Sequence, residues 1–110
     1  MISKINKEEI IGLLDKSQPM ILVEALPIKY FNQAHLPGAV QIDYTEVTEK
    51  APSLLTNKNK KIVVYCASSD CENSKKAATT LDRLGYKNVF VYKEGKKEWI
   101  DSALPIETDN

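Results

Sequence analysis

Two cysteines, Cys66 and Cys71, are the residues of this chain best suited to chemistry. The thiolate, not the thiol, is the nucleophile and the metal ligand. Two nearby cysteines therefore point to sulfur or redox chemistry, or to metal. Metal is the weakest of these, because the only histidine is His35 and a closed zinc site takes four ligands. No metal and no cofactor is implied. Cys66 directly follows Ile62-Val63-Val64-Tyr65, a β-branched run that is the best strand signal in the sequence. Beyond it, Ala77, Ala78, Leu81 and Leu84 fall at helical spacing, with Asn73 or Ser74 as the cap. That order puts Cys66 where open α/β sheets bind ligands, outside the carboxyl ends of the strands. The free amides of a helix N-terminus favour negative charge and lower a thiol's pKa.

The binding loop is expected to comprise Ala67, Ser68, Ser69, Asp70, Cys71, Glu72, Asn73 and Ser74. Its amides would curl around the sulfur, or around an anion bound to it. Ser68 and Ser69 either line the pocket with hydroxyls or are simple loop polarity. The plainer reading of Cys66 is a small apolar core residue; its place at a strand end, before small polar residues, favours the functional one. Cys71 reaches Cys66 if the loop folds back, since a disulfide needs Cα atoms within about 7 Å. It would then act as a resolving thiol that closes a disulfide with Cys66; the alternative is a loop cysteine without a role. His35 is read as a turn-stabilising group that hydrogen-bonds backbone near Gly38. Tyr65 and Trp99 are read as core or pocket wall, and Lys75 and Lys76 as a solvated helix face.

The rest of the chain supplies the frame for this loop. Asn6 and Glu9 form a capping box ahead of an amphipathic helix to about Lys16. Met20 to Ala25 suits a buried strand, Pro27 opens a helical turn ending near Gln33, and Val40 to Ile42 is a second short strand. Residues 44–56 are ambiguous: Tyr44 to Lys50 reads as helical and Pro52 to Leu55 as a separate short turn. Gly85 suits a helix C-terminal cap, Val89 to Tyr92 a strand, and Gly95 a turn before a last short helix over Glu98 to Ser102. The alternation predicts one α/β domain over residues 1–110, a small open, mostly parallel sheet with helices on both faces.

Composition narrows the partners. Of 110 residues, 15 are Lys or Arg and 15 Asp or Glu, so no electrostatic footprint for nucleic acid or membrane is present. Apolar runs fall short of the roughly 18 residues that a membrane span needs. The segment MISKINKEEI has no apolar core of a secretory signal, so a cytoplasmic location is expected.

Four segments together resemble the rhodanese-like family. Tyr65-Cys66, a short loop and Ser74-x-x-Ala77-Ala78-x-x-Leu81-x-x-Leu84-Gly85-Tyr86 resemble its active-site loop and following helix. His35-Leu36-Pro37-Gly38-Ala39-Val40-x-Ile42 resembles its H-x-P-G-A turn. Val89-x-Val91-Tyr92-x-x-Gly95 with Trp99, and then Ala103-Leu104-Pro105, resemble its closing segment. The match runs from about residue 5 to residue 106. The resemblance implies sulfur transfer, with Cys66 as catalytic carrier of sulfane sulfur in a persulfide. The sulfur would come from a small sulfur donor or a protein persulfide and go to a thiol acceptor. Loop amides would stabilise the persulfide's charge, and the covalent intermediate splits the transfer into two steps.

The loop departs from the family pattern. The spacing from Cys66 to Ser74 is two residues longer than usual, and Cys71 or Asn73 stands where a basic residue is common. The only arginine is Arg83, well down the helix, and the loop carries Asp70 and Glu72. The strand that usually reads aspartate-x-arginine is Glu24-Ala25-Leu26. Carboxylates near the sulfur repel thiosulfate and raise the thiol's pKa. The pattern thus favours a persulfide, a protein-bound donor, or a neutral or cationic partner. The competing function is a non-catalytic rhodanese-like module that binds a partner or senses redox state through Cys66 and Cys71. A cysteine phosphatase or arsenate reductase comes last, because no loop arginine can clamp an oxyanion.

Overall fold

The structure, a computed structural model, describes residues 2–16 and 19–109. Five parallel strands form its sheet: β1 (Ile2–Lys4), β2 (Ile21–Glu24), β3 (Val40–Gln41), β4 (Ile62–Tyr65) and β5 (Val89–Tyr92), in the spatial order β1-β5-β4-β2-β3. The helices are α1 (Lys7–Asp15), α2 (Ile28–Gln33), α3 (Val47–Leu54), α4 (Asn73–Arg83) and α5 (Gly95–Asp101), with a 3-10 turn at Tyr44–Glu46. Every strand pairing is parallel, so the expectation of a mostly parallel sheet is met by a wholly parallel one among the described residues.

Strand alternation sorts the apolar side chains to two faces. Ile62 and Val64 of β4 join Val23, Ala25, Val47, Ala51, Ala77, Ala78 and Leu81 under α3 and α4. Val63 and Tyr65 join Leu22, Ile10, Leu36, Tyr92 and Trp99 under α1 and α5. Helices therefore cover both faces, as the alternation predicts. The central strand β4 is buried at all four positions, which is why it reads as an uninterrupted apolar run.

Local signals act where the sequence places them. Asn6 Oδ1 accepts from Glu9 N at 2.8 Å while Glu9 Oε1 accepts from Asn6 N at 3.1 Å, closing the capping box of α1. Gly85, at φ +96°, ends α4, and Tyr86 N reaches back to Leu81 O at 3.2 Å, the bond of a Schellman cap.

Four details differ from expectation. β1 carries no readable signal: its three residues are all exposed and pair only with β5 at the sheet edge. α3 continues through Pro52 instead of breaking before it, losing one backbone bond while Val47 and Ala51 on the same helix are buried. α5 begins at Gly95, earlier than expected, because its first amides find carbonyl partners in the Cys66 loop. The cap of α4 is Glu72, without a side-chain hydrogen bond, and Asn73 is already helical. Among the described residues, no helix is long and apolar enough to cross a membrane.

Candidate functional site

Cys66 leaves the carboxyl end of β4 with its neighbours on both sides, β2 and β5, already paired. It is fully buried. The loop folds back, as the sequence allowed: Cys71 N donates to Ser68 O at 3.0 Å, and Cys66 and Cys71 pair as a disulfide with Cα atoms 6.4 Å apart. Ser74, expected as a possible cap, turns inward instead. It is 2% exposed, and its Oγ lies 3.5 Å from Cys66 Sγ, which explains why α4 starts without a side-chain cap. Of the loop residues singled out by sequence, Cys71 and Ser74 stand against Cys66. Asn73 starts α4, and Ala67, Ser69, Asp70 and Glu72 are exposed.

A second element holds the loop from below. Lys96 N donates to Cys66 O at 2.9 Å and Lys97 N to Ala67 O at 2.8 Å. The start of α5 thus satisfies its own free amides with loop carbonyls. Gly95 makes this approach possible. It has φ +71°, and a Cβ there would lie 2.6 Å from Cys66 O and 3.1 Å from Ser68 N. Glycine is needed at this position both for its backbone angle and for its missing side chain.

Beside the loop, a buried polar network fills the space on the Tyr65 side of the sheet. Tyr65 donates to Glu24 Oε1 at 2.8 Å and accepts from Leu36 N at 3.1 Å. Glu24, fully buried, also accepts from Lys96 Nζ at 2.9 Å. The same ammonium donates to Tyr30 O at 3.0 Å and Ala34 O at 2.7 Å. Burial, reinforced by the Glu24 carboxylate, pushes the Tyr65 hydroxyl far above the ordinary phenol range. Lys96 is not legible as a site-supporting residue from its position in a lysine pair. The signal is indirect: a buried strand carboxylate at Glu24, with leucine where an arginine is usual, requires a cation from another element.

His35 keeps a structural role, with different partners from those expected. Its ring stacks on Phe31 at 3.8 Å between centroids, and Nδ1 donates to Phe31 O at 2.9 Å. Gly38 N donates instead to Glu107 Oε1 at 2.8 Å, the same oxygen that stands 3.5 Å from His35 Nε2. The turn is fastened through a carboxylate near the far end of the chain, which local sequence does not reveal. Trp99 is buried wall, its Nε1 donating to Pro105 O at 2.7 Å.

Comparisons with known proteins agree with this geometry. A family model described as "Rhodanese-like domain" matches residues 6–102. The chain is 30% identical over 98 residues to "Putative sulfur carrier protein YrkF" of Bacillus subtilis (strain 168), covering 89% of this chain and 51% of that protein. The chain thus spans about half the length of that curated relative. In structure it is similar to the Alr3790 protein from Anabaena sp., with TM-score 0.86 and 23% identity, covering 96% of this chain and 80% of the other. It is likewise similar to a thiosulfate sulfurtransferase from Pseudomonas aeruginosa, with TM-score 0.86 and 20% identity, over 97% of this chain and 20% of that one.

Proposed function

This chain belongs to the rhodanese-like domain family, and on that basis we propose that it acts as a sulfurtransferase or sulfur carrier working through Cys66. The reduced Cys66 thiolate takes sulfane sulfur from a small donor or a protein persulfide, holds it as a persulfide and passes it to a thiol acceptor. The observation that carries this reading is the placement of Cys66 Sγ between the end of central strand β4 and the first turn of α4, with the Ser74 hydroxyl 3.5 Å away. A helix N-terminus and a hydroxyl donor both favour the charged sulfur over the neutral one. The name of the Bacillus subtilis relative supports a carrier role.

The pairing of Cys66 with Cys71 supports a second step within this reading. The Cys71 thiolate attacks Cys66 Sγ of the persulfide. The Cys66–Cys71 bond forms, the sulfane bond breaks, and the outer sulfur departs as hydrosulfide with the electron pair. The same pairing favours the alternative, a thiol redox module without transfer activity.

Intact-mass analysis separates the two. The protein is reduced, freed of reductant and incubated with thiosulfate or with polysulfide. A gain of about 32 Da, one sulfur atom, that disappears in Cys66→Ser is the expected result. No adduct with either donor leaves the redox module. For the second step, Cys71→Ser is expected to keep the adduct and release less sulfide; equal sulfide release from both proteins removes Cys71 from the reaction.

A further inference from the structure

The two sulfurs of the disulfide are unequal toward an outside nucleophile. Cys66 is fully buried, whereas Cys71 is partly exposed. A cavity of about 340 Å³ opens against Cys71 and Ser74, and Cys66 does not line it. Its lining includes Lys4, Lys75 and Lys93, with Glu72 as the one acid, so the lining residues sum to a formal +2. These lysines come from three places: the end of β1, the first turn of α4 and the residue after β5. A count of charges within the loop, which contains only Asp70 and Glu72, points toward neutral or cationic partners. Folding reverses that sign at the Cys71 side.

We propose that Cys71 is the exchange sulfur of the pair and that this cavity admits a small anionic thiol, which opens the disulfide there. The incoming thiolate attacks Cys71 Sγ. A mixed disulfide forms between that thiol and Cys71, the Cys66–Cys71 bond breaks, and the electron pair leaves on Cys66 Sγ as thiolate. The attacking thiol is the co-reactant, and no other oxidant or reductant enters the step. Exchange depends on which sulfur can be reached and on how well the leaving thiolate is stabilised. Access favours attack at Cys71. The Ser74 hydroxyl and the start of α4 favour Cys66 as the leaving group. The inference goes beyond sulfur transfer and needs no persulfide, so it can stand or fall independently of that reading.

The test compares three thiols on the oxidised protein: anionic 2-mercaptoethanesulfonate, neutral 2-mercaptoethanol and cationic cysteamine, with rates expressed per thiolate. At low salt the anionic thiol is expected to react about 10-fold faster than the neutral one, and cysteamine slowest, as charge-steered association predicts. In wild type at about 1 M salt, where screening is nearly complete, the three rates should converge. In the variant Lys4→Gln/Lys75→Gln/Lys93→Gln, whose cavity keeps only Glu72 for a formal −1, the anionic thiol should lose its lead at low salt. Early quenching with iodoacetamide and peptide mass mapping should place the alkyl group on Cys66 and the mixed disulfide on Cys71. Equal rates at low salt in wild type, or the mixed disulfide on Cys66, would overturn the proposal. The salt series and the mapping use wild type alone, so they decide the question even where the triple variant fails to fold.

Discussion

Tyr65 and Cys66 are consecutive residues, yet their side chains meet opposite fates. Tyr65 enters a closed network in which Glu24, Lys96 and the Leu36 amide all find partners. Cys66 turns to the start of α4, where its contacts are a hydroxyl and the one other cysteine. The first region is fixed by charge-assisted hydrogen bonds; the second is held by a bond that thiols can exchange. The contrast shows how a small fold keeps a reactive loop: the loop can change covalent state because the layer beside it cannot easily rearrange.

Breaking the closed side has the largest expected effect. Lys96→Met leaves Glu24 as a buried carboxylate without its cation. Such losses typically cost about 3–5 kcal/mol. Urea unfolding of the oxidised protein should show it, and adding Glu24→Gln, which removes the orphaned charge and keeps an acceptor for Tyr65, should recover much of the loss. If Lys96→Met unfolds like wild type, the network is not the anchor of this side. Thiol exchange at the disulfide should be little changed wherever the variant remains folded, because the Lys96 amide still holds Cys66 O.

Gly95 joins the two regions, and its substitution tests whether they are coupled. Gly95→Ala forces a Cβ to within 2.6 Å of Cys66 O at a backbone angle of φ +71°. The angle alone costs about 1–2 kcal/mol, and the clash must add to it. A stability loss of about 2–3 kcal/mol is expected. Because the displaced atoms belong to the Cys66 loop, the reactivity of the disulfide toward thiols should change as well. A loss of stability with unchanged exchange would mean that the loop and α5 move apart independently.

A smaller effect separates the two sides by pH. The Tyr65 hydroxyl is held well above its ordinary value of 10.0, mainly by burial and then by Glu24. Above about pH 10 the unfolded chain loses this proton and the folded one keeps it, so the folded state binds more protons and stability falls as pH rises. Each such tyrosine contributes up to about 1.4 kcal/mol per pH unit in that window. Tyr92, also raised by burial and by its bond to Glu98, adds to the slope. Tyr65→Phe should therefore be less stable near neutral pH but decline more slowly between about pH 10 and 11. An unchanged slope would show that the tyrosine reaches solvent.

What the sequence discloses follows the same division. β4, β5, the α1 capping box and the Gly85 cap are local, set by side chains a few residues apart, and they appear where expected. The position of Cys66 is legible because strand, loop and helix are contiguous. Its surroundings are not. Lys96 lies 72 positions from Glu24, and Glu107 lies 69 from Gly38, so each pairing exists only through the fold. Lys4 and Lys93 reach the Cys71 cavity because β1 lies beside β5, and β1 has neither the length nor the burial to announce itself. Loop charge alone is incomplete for that reason: counting carboxylates along the chain omits lysines delivered by adjacent strands.

The smallest expected effect concerns the hydroxyl nearest the sulfur. Ser74→Ala removes Oγ at 3.5 Å from Cys66 Sγ, inside a site where Ser74 is 2% exposed. Its long distance marks a weak contact, so folding stability should move by less than about 1 kcal/mol. The reduced protein is the sensitive case. A hydroxyl that donates to a thiolate stabilises the charged form only, and loss of about 0.7 kcal/mol there corresponds to roughly threefold less thiolate at a given pH below the thiol's titration. Iodoacetamide alkylation of Cys66 in a Cys71→Ser background, followed across the whole observed titration of its rate, should slow about threefold at the low-pH end and converge on the high-pH plateau. A uniform slowing at every pH would mean that Ser74 shapes access to the sulfur rather than its charge. The exchangeable side would then owe its reactivity to the start of α4 and the loop backbone alone.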